Sequence, residues 1–237
     1  MEERKSTDHI FTPDEGGLVL VDKPVGWTSH DAVNKIRGAM RSVVKRRNFK
    51  VGHAGTLDPL ASGLLILAYG PFTKKLPYIT EEEKVYIATI TLGATTPSFD
   101  LETEPVPAGE WKHLDEARIR EVLAEFTGEV LQRPPLFSAK RHEGERGYFL
   151  ARSGSQVELP EVTVNILRLD MIAVRGAEID IEVHVSKGTY IRSLAHDIGQ
   201  ALGCGAHLSA LRRIAIGDHK VQDALSPDEW ARHIGGR

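Results

Sequence analysis

Residues 52–70 read GHAGTLDPLASGLLILAYG. The first part is polar and rich in glycine, and it carries one carboxylate, Asp58, directly before Pro59. The second part, Gly63 to Tyr69, is a short apolar run between glycines, a pattern that favours a buried strand over a helix. The stretch therefore predicts that a loop with a carboxylate, residues 45–59, leads into a strand in the core of the fold.

The rest of the chain mixes strand and helix patterns without an internal repeat. A capping box at Thr28 and Asp31 predicts a helix of about Ser29 to Val44. Apolar spacing and end signals predict further helices at 115–126 and 190–202 and from Ser226. β-Branched runs predict strands at 18–21, 84–92, 162–174 and 178–186 and around Ile214 and Ile216. This order predicts an α+β fold with a mixed, mostly antiparallel central sheet flanked by helices and loops.

Composition limits the class of protein. The chain has 237 residues and a formal net charge of −3, with 41% hydrophobic and 27% charged residues, as in ordinary globular proteins. Its one cysteine, Cys204, excludes an intrachain disulfide and fits a reducing compartment. The start MEERKSTDHI is too polar for a secretory signal, and the longest apolar stretch, Leu64 to Tyr69, is too short to span a bilayer. We therefore expect a cytoplasmic protein without membrane contact.

Charge is unevenly distributed along the chain. Residues 37–53 contain six basic side chains and no acidic one, whereas residues 100–129 contain nine acidic side chains and three basic ones. A polyanion responds to the local field, so this segregation predicts a positive face that carries the functional site and a negative face turned away from it. A solvated helix face is the alternative explanation of the basic segment.

The sequence allows three interpretations of Asp58. An aspartate before a proline is most often a turn former or a helix cap. A metal site with His53 lacks the third and fourth ligands that a metal needs, so we expect no metal. A catalytic carboxylate needs a cationic partner, and Arg192 in KGTYIRSLAHDIG (187–199) is a candidate. A guanidinium binds a carboxylate through two hydrogen bonds and keeps it ionised.

Five motifs, in order, make the chain resemble the TruB family of tRNA pseudouridine synthases. They are DKPVGWTSHDAV (22–33), GHAGTLDPLASGLLILAYGPFTK (52–74), KVYIATITLG (84–93), RPPLFSAKRHEGERGYFLAR (133–152) and SKGTYIRSLAHDIG (186–199). The resemblance extends from about Gly17 to Gly217 and implies a pseudouridine synthase fold. Any one of these motifs is short, but five of them in order are specific.

The resemblance implies the reaction. Enzymes of this class break the N1–C1′ glycosidic bond of a uridine, turn the base and rejoin it through C5. Asp58 stands at the family's essential aspartate, and an ionised carboxylate suits the positive charge that develops at C1′. The same carboxylate can instead add to C6 of the base or take a proton from C2′, and the sequence leaves these routes open. No metal or redox cofactor is implied.

The resemblance also implies supporting roles around Asp58. Arg192 matches the arginine that pairs with the aspartate, Tyr86 the tyrosine that stacks on the target base, and His53 the histidine that supports the flipped nucleotide. The other matched positions are Lys74 near the mouth of the site, Tyr190 in its wall and Leu208 as an apolar pocket residue. Each of three residues has an alternative interpretation: Tyr86 as an aromatic residue of the core, His53 as a loop histidine, and Lys74 as a surface charge.

The implied substrate is the T-loop uridine of tRNA, uridine-55. That nucleotide must be extruded from the RNA to react, at a cost of roughly a few kcal/mol. Residues of about 131–155 resemble the family's thumb-like insertion, whose glycines let it move over the T arm. The basic residues expected to contact phosphates are Arg46, Arg47, Lys50, Lys140, Arg141, Arg146 and Arg152.

The predicted domain organisation is a flexible arm at 1–15, a catalytic domain at 16–217 and a short helical tail at 218–237. This tail is too short for the complete PUA-type RNA-binding module that many family members carry. We therefore expect a stand-alone monomer with no obligatory protein partner. The alternatives are a chaperone that refolds the tRNA elbow and a catalytic subunit directed by a guide RNA.

Overall fold

A computed structural model describes residues 11–137, 141–142, 145–146 and 159–236. The strands are β1 (Gly17–Lys23), β2 (Val51–Ala54), β3 (Ala61–Tyr69), β4 (Lys84–Leu92), β5 (Ala94–Thr95), β6 (Val106–Pro107), β7 (Gly128–Gln132), β8 (Arg141–His142), β9 (Glu145–Arg146), β10 (Val162–Arg175), β11 (Glu178–Val185), β12 (Ala206–Ile216) and β13 (His219–Lys220). The helices are α1 (Ser29–Val44), α2 (Leu76–Glu81), α3 (Glu116–Glu125), α4 (Ile191–Ala201) and α5 (Pro227–Gly235), and 3₁₀ turns lie at Gly70–Lys75 and Val221–Asp223.

Nine of these strands form the central sheet. Its order is β1-β3-β12-β4-β11-β10-β7, with β2 beside β3 and β13 beside β12. The pairs are antiparallel except β3 with β12, which run parallel. The predicted α+β class with a mixed, mostly antiparallel sheet is therefore confirmed.

The apolar run Gly63 to Tyr69 lies in strand β3. Eight of the nine residues of this strand are buried, because the strand lies inside the sheet and other elements cover both of its faces. Gly63 has a φ of +102°, and a Cβ there would lie 2.2 Å from the carbonyl oxygen of Arg213. Only glycine allows the backbones of β3 and β12 to approach this closely, which fixes the parallel pair.

Apolar packing holds helices against the sheet on both sides of this pair. Leu194 and Ile198 of helix α4 belong to one buried cluster with Ile90 of β4 and Ile181 of β11. Helices α1 and α5 pack in a second cluster with β1 and β3, to which α1 contributes Ile36. Full burial of each such side chain stabilises the fold by about 1.5–3 kcal/mol. The predicted capping box of Thr28 and Asp31 is present at the start of α1.

Some predicted elements were wrong or incomplete. The predicted loop 45–59 contains β2, whose residues VGHA lack the apolar run that marks a strand. Strand β12 begins at Ala206, well before Ile214. Its first part, AHLSALRR, was missed because it has no β-branched residue and gains its strand conformation from pairing with β4 and, at Leu211–Arg213, with β3. Strand β7 and helix α2 are short and were not predicted. Of the short helix considered at 146–152, Arg146 lies in β9, and the remainder lies outside the described residues.

Both ends of the described chain pack on the core. Phe11, within the predicted flexible arm, contacts the ring of Tyr69 at a centroid distance of 5.1 Å. In the predicted tail, Trp230 of α5 is 3% exposed, and its indole N–H donates to the carbonyl oxygen of Leu20 at 2.7 Å. Residues on both sides of the predicted domain limits thus share one hydrophobic core.

Candidate active site

The loop that carries Asp58 is fixed from the start of α1. The hydroxyl of the buried Ser29 accepts a hydrogen bond from the backbone N–H of Leu57 at 2.8 Å and lies 3.1 Å from the carbonyl oxygen of Leu57. The N–H of Gly26 donates to the carbonyl oxygen of Pro59 at 2.8 Å. The motif at 22–33 therefore holds both neighbours of Asp58 in place.

Arg192 contacts Asp58. It lies in the first turn of α4 and is 3% exposed, and its Nε is 3.0 Å from Oδ2 of Asp58. The same Nε lies 3.7 Å from Oδ2 of the buried Asp100. The two other guanidinium nitrogens donate to the carbonyl oxygens of Phe137 at 2.9 Å and Ser98 at 3.4 Å. The guanidinium is thus shared among four groups, instead of binding one carboxylate through two hydrogen bonds as the sequence suggested.

Asp100 corrects a second expectation. It belongs to the acidic segment 100–129, which the charge pattern placed on a face away from the site. Instead it is 5% exposed and lies beside Arg192. No pattern in the sequence indicates this, because one buried acid among nine acids in a segment looks the same as its exposed neighbours.

The groups around Asp58 have opposing effects on its pKa. Desolvation raises the pKa of this carboxyl above its ordinary value, the Arg192 guanidinium lowers it, Asp100 raises it and Lys23 lowers it. The side chain is 41% exposed, and it lines a pocket, so the desolvation comes from the enclosing walls. Desolvation is the largest of these influences, and the Arg192 guanidinium is the main group that opposes it.

The pocket beside Asp58 has a volume of about 290 Å³. This is at the small end of ligand sites, and it suits one nucleoside rather than a larger cofactor. Its lining includes Asp58, Tyr86, Lys84, Lys187, Tyr190, Arg192, Leu211 and Arg213. Three of the residues proposed around Asp58 therefore lie in its wall: Arg192, Tyr86 of β4, which is 7% exposed, and Tyr190, which precedes α4.

Three other predicted residues lie elsewhere. His53, on β2, is half-buried, and its Nδ1 has no hydrogen-bond partner among the described residues. Lys74 is exposed on the 3₁₀ turn before α2. Leu208 borders a smaller cleft of about 20 Å³ on another side of Asp58. Leu211, on the same strand, lines both spaces, and sequence reasoning missed it because β12 was not predicted there.

Sequence reasoning also missed two buried cations in the pocket wall, Lys84 and Arg213, which we call the cationic wall. They are 6% and 1% exposed. The ammonium group of Lys84 donates to the carbonyl oxygen of Thr80 at 2.7 Å and to that of Glu82. Burial lowers the pKa of Lys84 to about 8, and the nearby Arg213 adds to this decrease.

Arg213 reaches the pocket from β12. Its Nε donates to the carbonyl oxygen of Leu64 at 2.7 Å, and one terminal nitrogen donates to that of Gly55 at 3.1 Å. The other lies 3.5 Å from the hydroxyl oxygen of Tyr86. Among the described residues, the hydrogen-bond acceptors of the cationic wall are thus carbonyl and hydroxyl oxygens rather than carboxylates.

Sequence comparison adds to this geometry. A sequence model described as the N-terminal domain of the TruB family of pseudouridylate synthases matches residues 41–191. A second one, described as the C-terminal domain of tRNA pseudouridylate synthase B, matches residues 192–231. The chain belongs to the TruB family. It is therefore a pseudouridylate synthase, an isomerase, and the predicted family and enzyme class are confirmed.

Similar TruB proteins from several bacteria carry the name tRNA pseudouridine synthase B. The one from Flavobacterium johnsoniae is 45% identical over 91% of this chain and 96% of its own length. The one from Phocaeicola vulgatus is 46% identical over 91% of this chain and 93% of its own length. The Geobacter sulfurreducens protein is 42% identical and is longer, since the match covers 67% of it.

Solved structures support the TruB fold. A chain of a Cbf5–Nop10–Gar1 complex superposes with a TM-score of 0.68 at 31% identity, over 92% of this chain and 59% of that one. A chain of an archaeal box H/ACA sRNP Nop10–Cbf5 complex gives a TM-score of 0.66 at 29% identity, over 92% of this chain and 53% of that one. This chain thus spans between half and three fifths of the length of those two.

The two TruB sequence regions meet inside the pocket. Asp58 and Tyr86 belong to the first region, which ends at residue 191, whereas Arg192 is the first residue of the second. Leu211 and Arg213 also belong to the second. The ion pair between Asp58 and Arg192 therefore joins both regions at the site.

The basic residues expected to bind RNA are only partly described. Arg46, Arg47 and Lys50 are exposed after α1, and Arg46 pairs with Asp14 at 2.6 Å. Lys140 and Arg152 lie outside the described residues. For Arg141 and Arg146 only the backbone is described, in the paired strands β8 and β9.

Neither a metal site nor a membrane span is found in the described part of this TruB chain. Its His, Cys, Asp and Glu residues form no group of three or more that is suited to hold a metal ion. None of its helices combines the length and apolar composition needed to cross a bilayer.

Proposed function

We propose that this enzyme converts the T-loop uridine of tRNA, uridine-55, to pseudouridine, with Asp58 as the catalytic carboxylate. One observation carries the proposal: Asp58 lies at the wall of a nucleoside-sized pocket, and the buried Arg192 is 3.0 Å away. The curated relatives named tRNA pseudouridine synthase B support tRNA as the substrate.

The carboxylate acts on the sugar of the flipped nucleotide. When the N1–C1′ bond breaks, C1′ becomes electron-poor, and an ionised Asp58 either bonds to C1′ or removes a proton from C2′. Both routes need an ionised carboxylate, which the charge of Arg192 favours against desolvation. The base then turns and C5 bonds to C1′, which releases the carboxylate from C1′ or returns its proton to C2′. C5 gives up its proton and N1 gains one.

The pocket walls hold the base while it turns. Stacking on an aromatic ring contributes about 1–3 kcal/mol per base, and Tyr86 offers its ring at the pocket. This offsets much of the roughly few kcal/mol needed to extrude the nucleotide. His53, Lys74, Tyr190 and Leu208 are proposed to contact the surrounding nucleotide rather than the reacting atoms.

Phosphate contacts hold the T arm. Arg47 and Lys50 are exposed, and among the described ion pairs of this segment only Arg46 has an acidic partner. These residues follow α1 and precede β2, so they are close in sequence to the loop of Asp58. Such contacts position the RNA and carry no sequence information, whereas the pocket selects the nucleotide.

We further propose that the enzyme acts as a cytoplasmic monomer on free tRNA, without guide RNA or protein partner. The solved complexes with Cbf5 raise the alternative of a guided subunit. The relatives named for tRNA are more similar, at 42–46% identity against 29–31% for the Cbf5 chains. Free tRNA is therefore the proposed substrate.

The test is incubation of the purified protein alone with unmodified tRNA, followed by mapping of pseudouridine at single-nucleotide resolution. We expect one modified position, in the T loop. The variant Asp58→Asn keeps the shape of the side chain but not its charge, and it should bind tRNA within about tenfold of the wild type because phosphates supply most of the affinity. Turnover by this variant would exclude Asp58 as the catalytic group, and a requirement for a guide RNA would exclude the stand-alone enzyme.

A further inference from the structure

The cationic wall is costly for the fold. Desolvation of a buried cation is unfavourable, and a carboxylate partner ordinarily offsets it. The described hydrogen bonds of Lys84 and Arg213 instead go to uncharged oxygens. Charged groups retained in a cleft at such a cost are candidates for a function.

The pocket carries more positive than negative charge. Its lining contains the cations Lys84, Lys187, Arg192 and Arg213 and one carboxylate, Asp58. Arg192 is committed to Asp58 and Asp100, and the exposed Lys187 pairs with Glu81. Lys84 and Arg213 are therefore the cations of this lining that remain for an anion inside the pocket.

The reaction itself produces such an anion. Cleavage of the N1–C1′ bond leaves the electron pair on N1, and the negative charge spreads over N1, O2 and O4 of the uracil. The sugar balances this charge at C1′, by bonding to the carboxylate or by losing the C2′ proton to it. When C5 attacks C1′, the carboxylate leaves C1′ or returns its proton to C2′, and the base becomes neutral. C5 then loses its proton and N1 takes up a proton, so the product is neutral.

Resting on the proposed function, we propose that Lys84 and Arg213 form a subsite for the uracil anion and stabilise it between cleavage and rejoining. Fixed charges that face a developing anion lower the barrier because they need no reorganisation as the charge forms. The hydroxyl of Tyr86 lies within 3.5 Å of Arg213, so the residue proposed to stack on the base is in contact with the same wall.

The subsite predicts a specific pH dependence. Desolvation lowers the pKa of Lys84 to about 8, Arg213 and Lys187 also lower it, and Glu81 and Glu82 raise it. A lysine that must be charged acts below its pKa, so the single-turnover rate should fall as the pH rises through about 8. Lys84→Arg keeps its charge at higher pH and should move this descending limb upward, whatever its absolute rate.

The experiment uses the full chain in excess over unmodified tRNA, with rates and tRNA affinity measured from pH 6 to about 10. At neutral pH, Lys84→Met should lower the rate by about 10²–10³-fold, as loss of one anion-stabilising group does, with tRNA affinity within about threefold. Retained tRNA binding shows that the variant is folded. If Lys84→Met weakens binding and keeps the rate, the wall holds an RNA phosphate and the proposal is wrong.

Lys23→Arg is the matched control. Lys23 is fully buried and its pKa is also lowered to about 8, mainly by desolvation. It donates to the carbonyl oxygens of Pro24 and Trp27 and is not among the residues that line the pocket. The descending limb should stay in place in this variant. The inference is overturned if the descending limb moves in Lys23→Arg or stays in place in Lys84→Arg. If the wild type forms no pseudouridine, the proposed function is overturned instead.

Discussion

Replacement of Arg192 separates the charge of this residue from its geometry. Arg192→Lys keeps the positive charge but loses the planar set of donors, whereas Arg192→Met removes both. In the structure one guanidinium serves Asp58, Asp100, Phe137 and Ser98. The single ammonium group of a lysine cannot bind all four partners. We therefore expect the two variants to differ in a defined way.

The stability cost follows from the lost hydrogen bonds. A hydrogen bond to a charged group contributes about 1.5–3 kcal/mol, and at least the carbonyl oxygen of Phe137 or that of Ser98 loses its donor in Arg192→Lys. We expect the free energy of unfolding to fall by about 3 kcal/mol, which in a protein of this size lowers Tm by about 6–12 °C. Thermal unfolding followed by circular dichroism measures this.

The two variants should lose activity for different reasons. In Arg192→Lys the carboxylate keeps its cation but loses its orientation, and a misplacement of about 1 Å costs roughly 10²-fold in rate. In Arg192→Met the charge that lowers the pKa of Asp58 is gone, while desolvation and Asp100 still raise it. A carboxylate acts above its pKa, so the acid limb of the rate should move to higher pH in Arg192→Met and stay near that of the wild type in Arg192→Lys.

Single-turnover rates between about pH 5 and pH 8 decide the matter. Binding of tRNA, measured in parallel, provides the control, since neither variant removes a proposed phosphate contact. An unchanged acid limb in Arg192→Met would show that this guanidinium does not keep Asp58 ionised. A wild-type rate in Arg192→Lys would show that its geometry is not needed.

Three further outcomes are expected. The double variant Arg47→Gln/Lys50→Gln should reduce the slope of log affinity against log salt by about 1.4–1.8, more than twice the reduction in Arg46→Gln, because Arg46 already pairs with an acid; equal slopes in the wild type and both variants would make this segment a solvated face only. Tyr86→Phe should keep tRNA affinity and most of the single-turnover rate because the ring remains to stack, whereas Tyr86→Leu should lose about 10-fold or more; similar rates in both variants would exclude stacking. Gly63→Ala should lower the free energy of unfolding in urea by more than about 3 kcal/mol, because its Cβ would lie 2.2 Å from a backbone oxygen of β12; a stability within about 1 kcal/mol of the wild type would contradict the close approach of β3 and β12.

The sequence predicts those parts of the fold that local patterns encode. The capping box of α1, the apolar run of β3 and the β-branched runs of β4 and β11 each depend on neighbours within a few positions, and all were found. Strand β12 escaped because the residues before Ile214 take their conformation from pairing with β3 and β4, which lie far away in sequence. Because this part of β12 was not predicted, Arg213 and Leu211 were not recognised as site residues.

The candidate site shows the same division. Asp58, Arg192 and Tyr86 were found through motif resemblance, and the structure brings them to one pocket. Asp100 and Lys84 were missed, because an acid in an acidic segment and a lysine at the start of a strand look like surface residues until burial is known. Burial of a charge is a tertiary property, and a single sequence does not display it.

The position of β12 has a consequence for how the protein is made. This strand lies between β3 and β4, so the two parts of the sheet remain separate until it is inserted. Its residue Arg212 bonds to Asp22, which precedes it by 190 positions. A ribosome that adds roughly 5–20 residues per second needs on the order of ten seconds to pass from the end of β4 to the start of β12. During that time the nascent chain presents the unpaired edges of β3 and β4, which are open to pairing with other chains, and its catalytic pocket is still incomplete. Protection from aggregation during translation is therefore a requirement that this topology places on the cell.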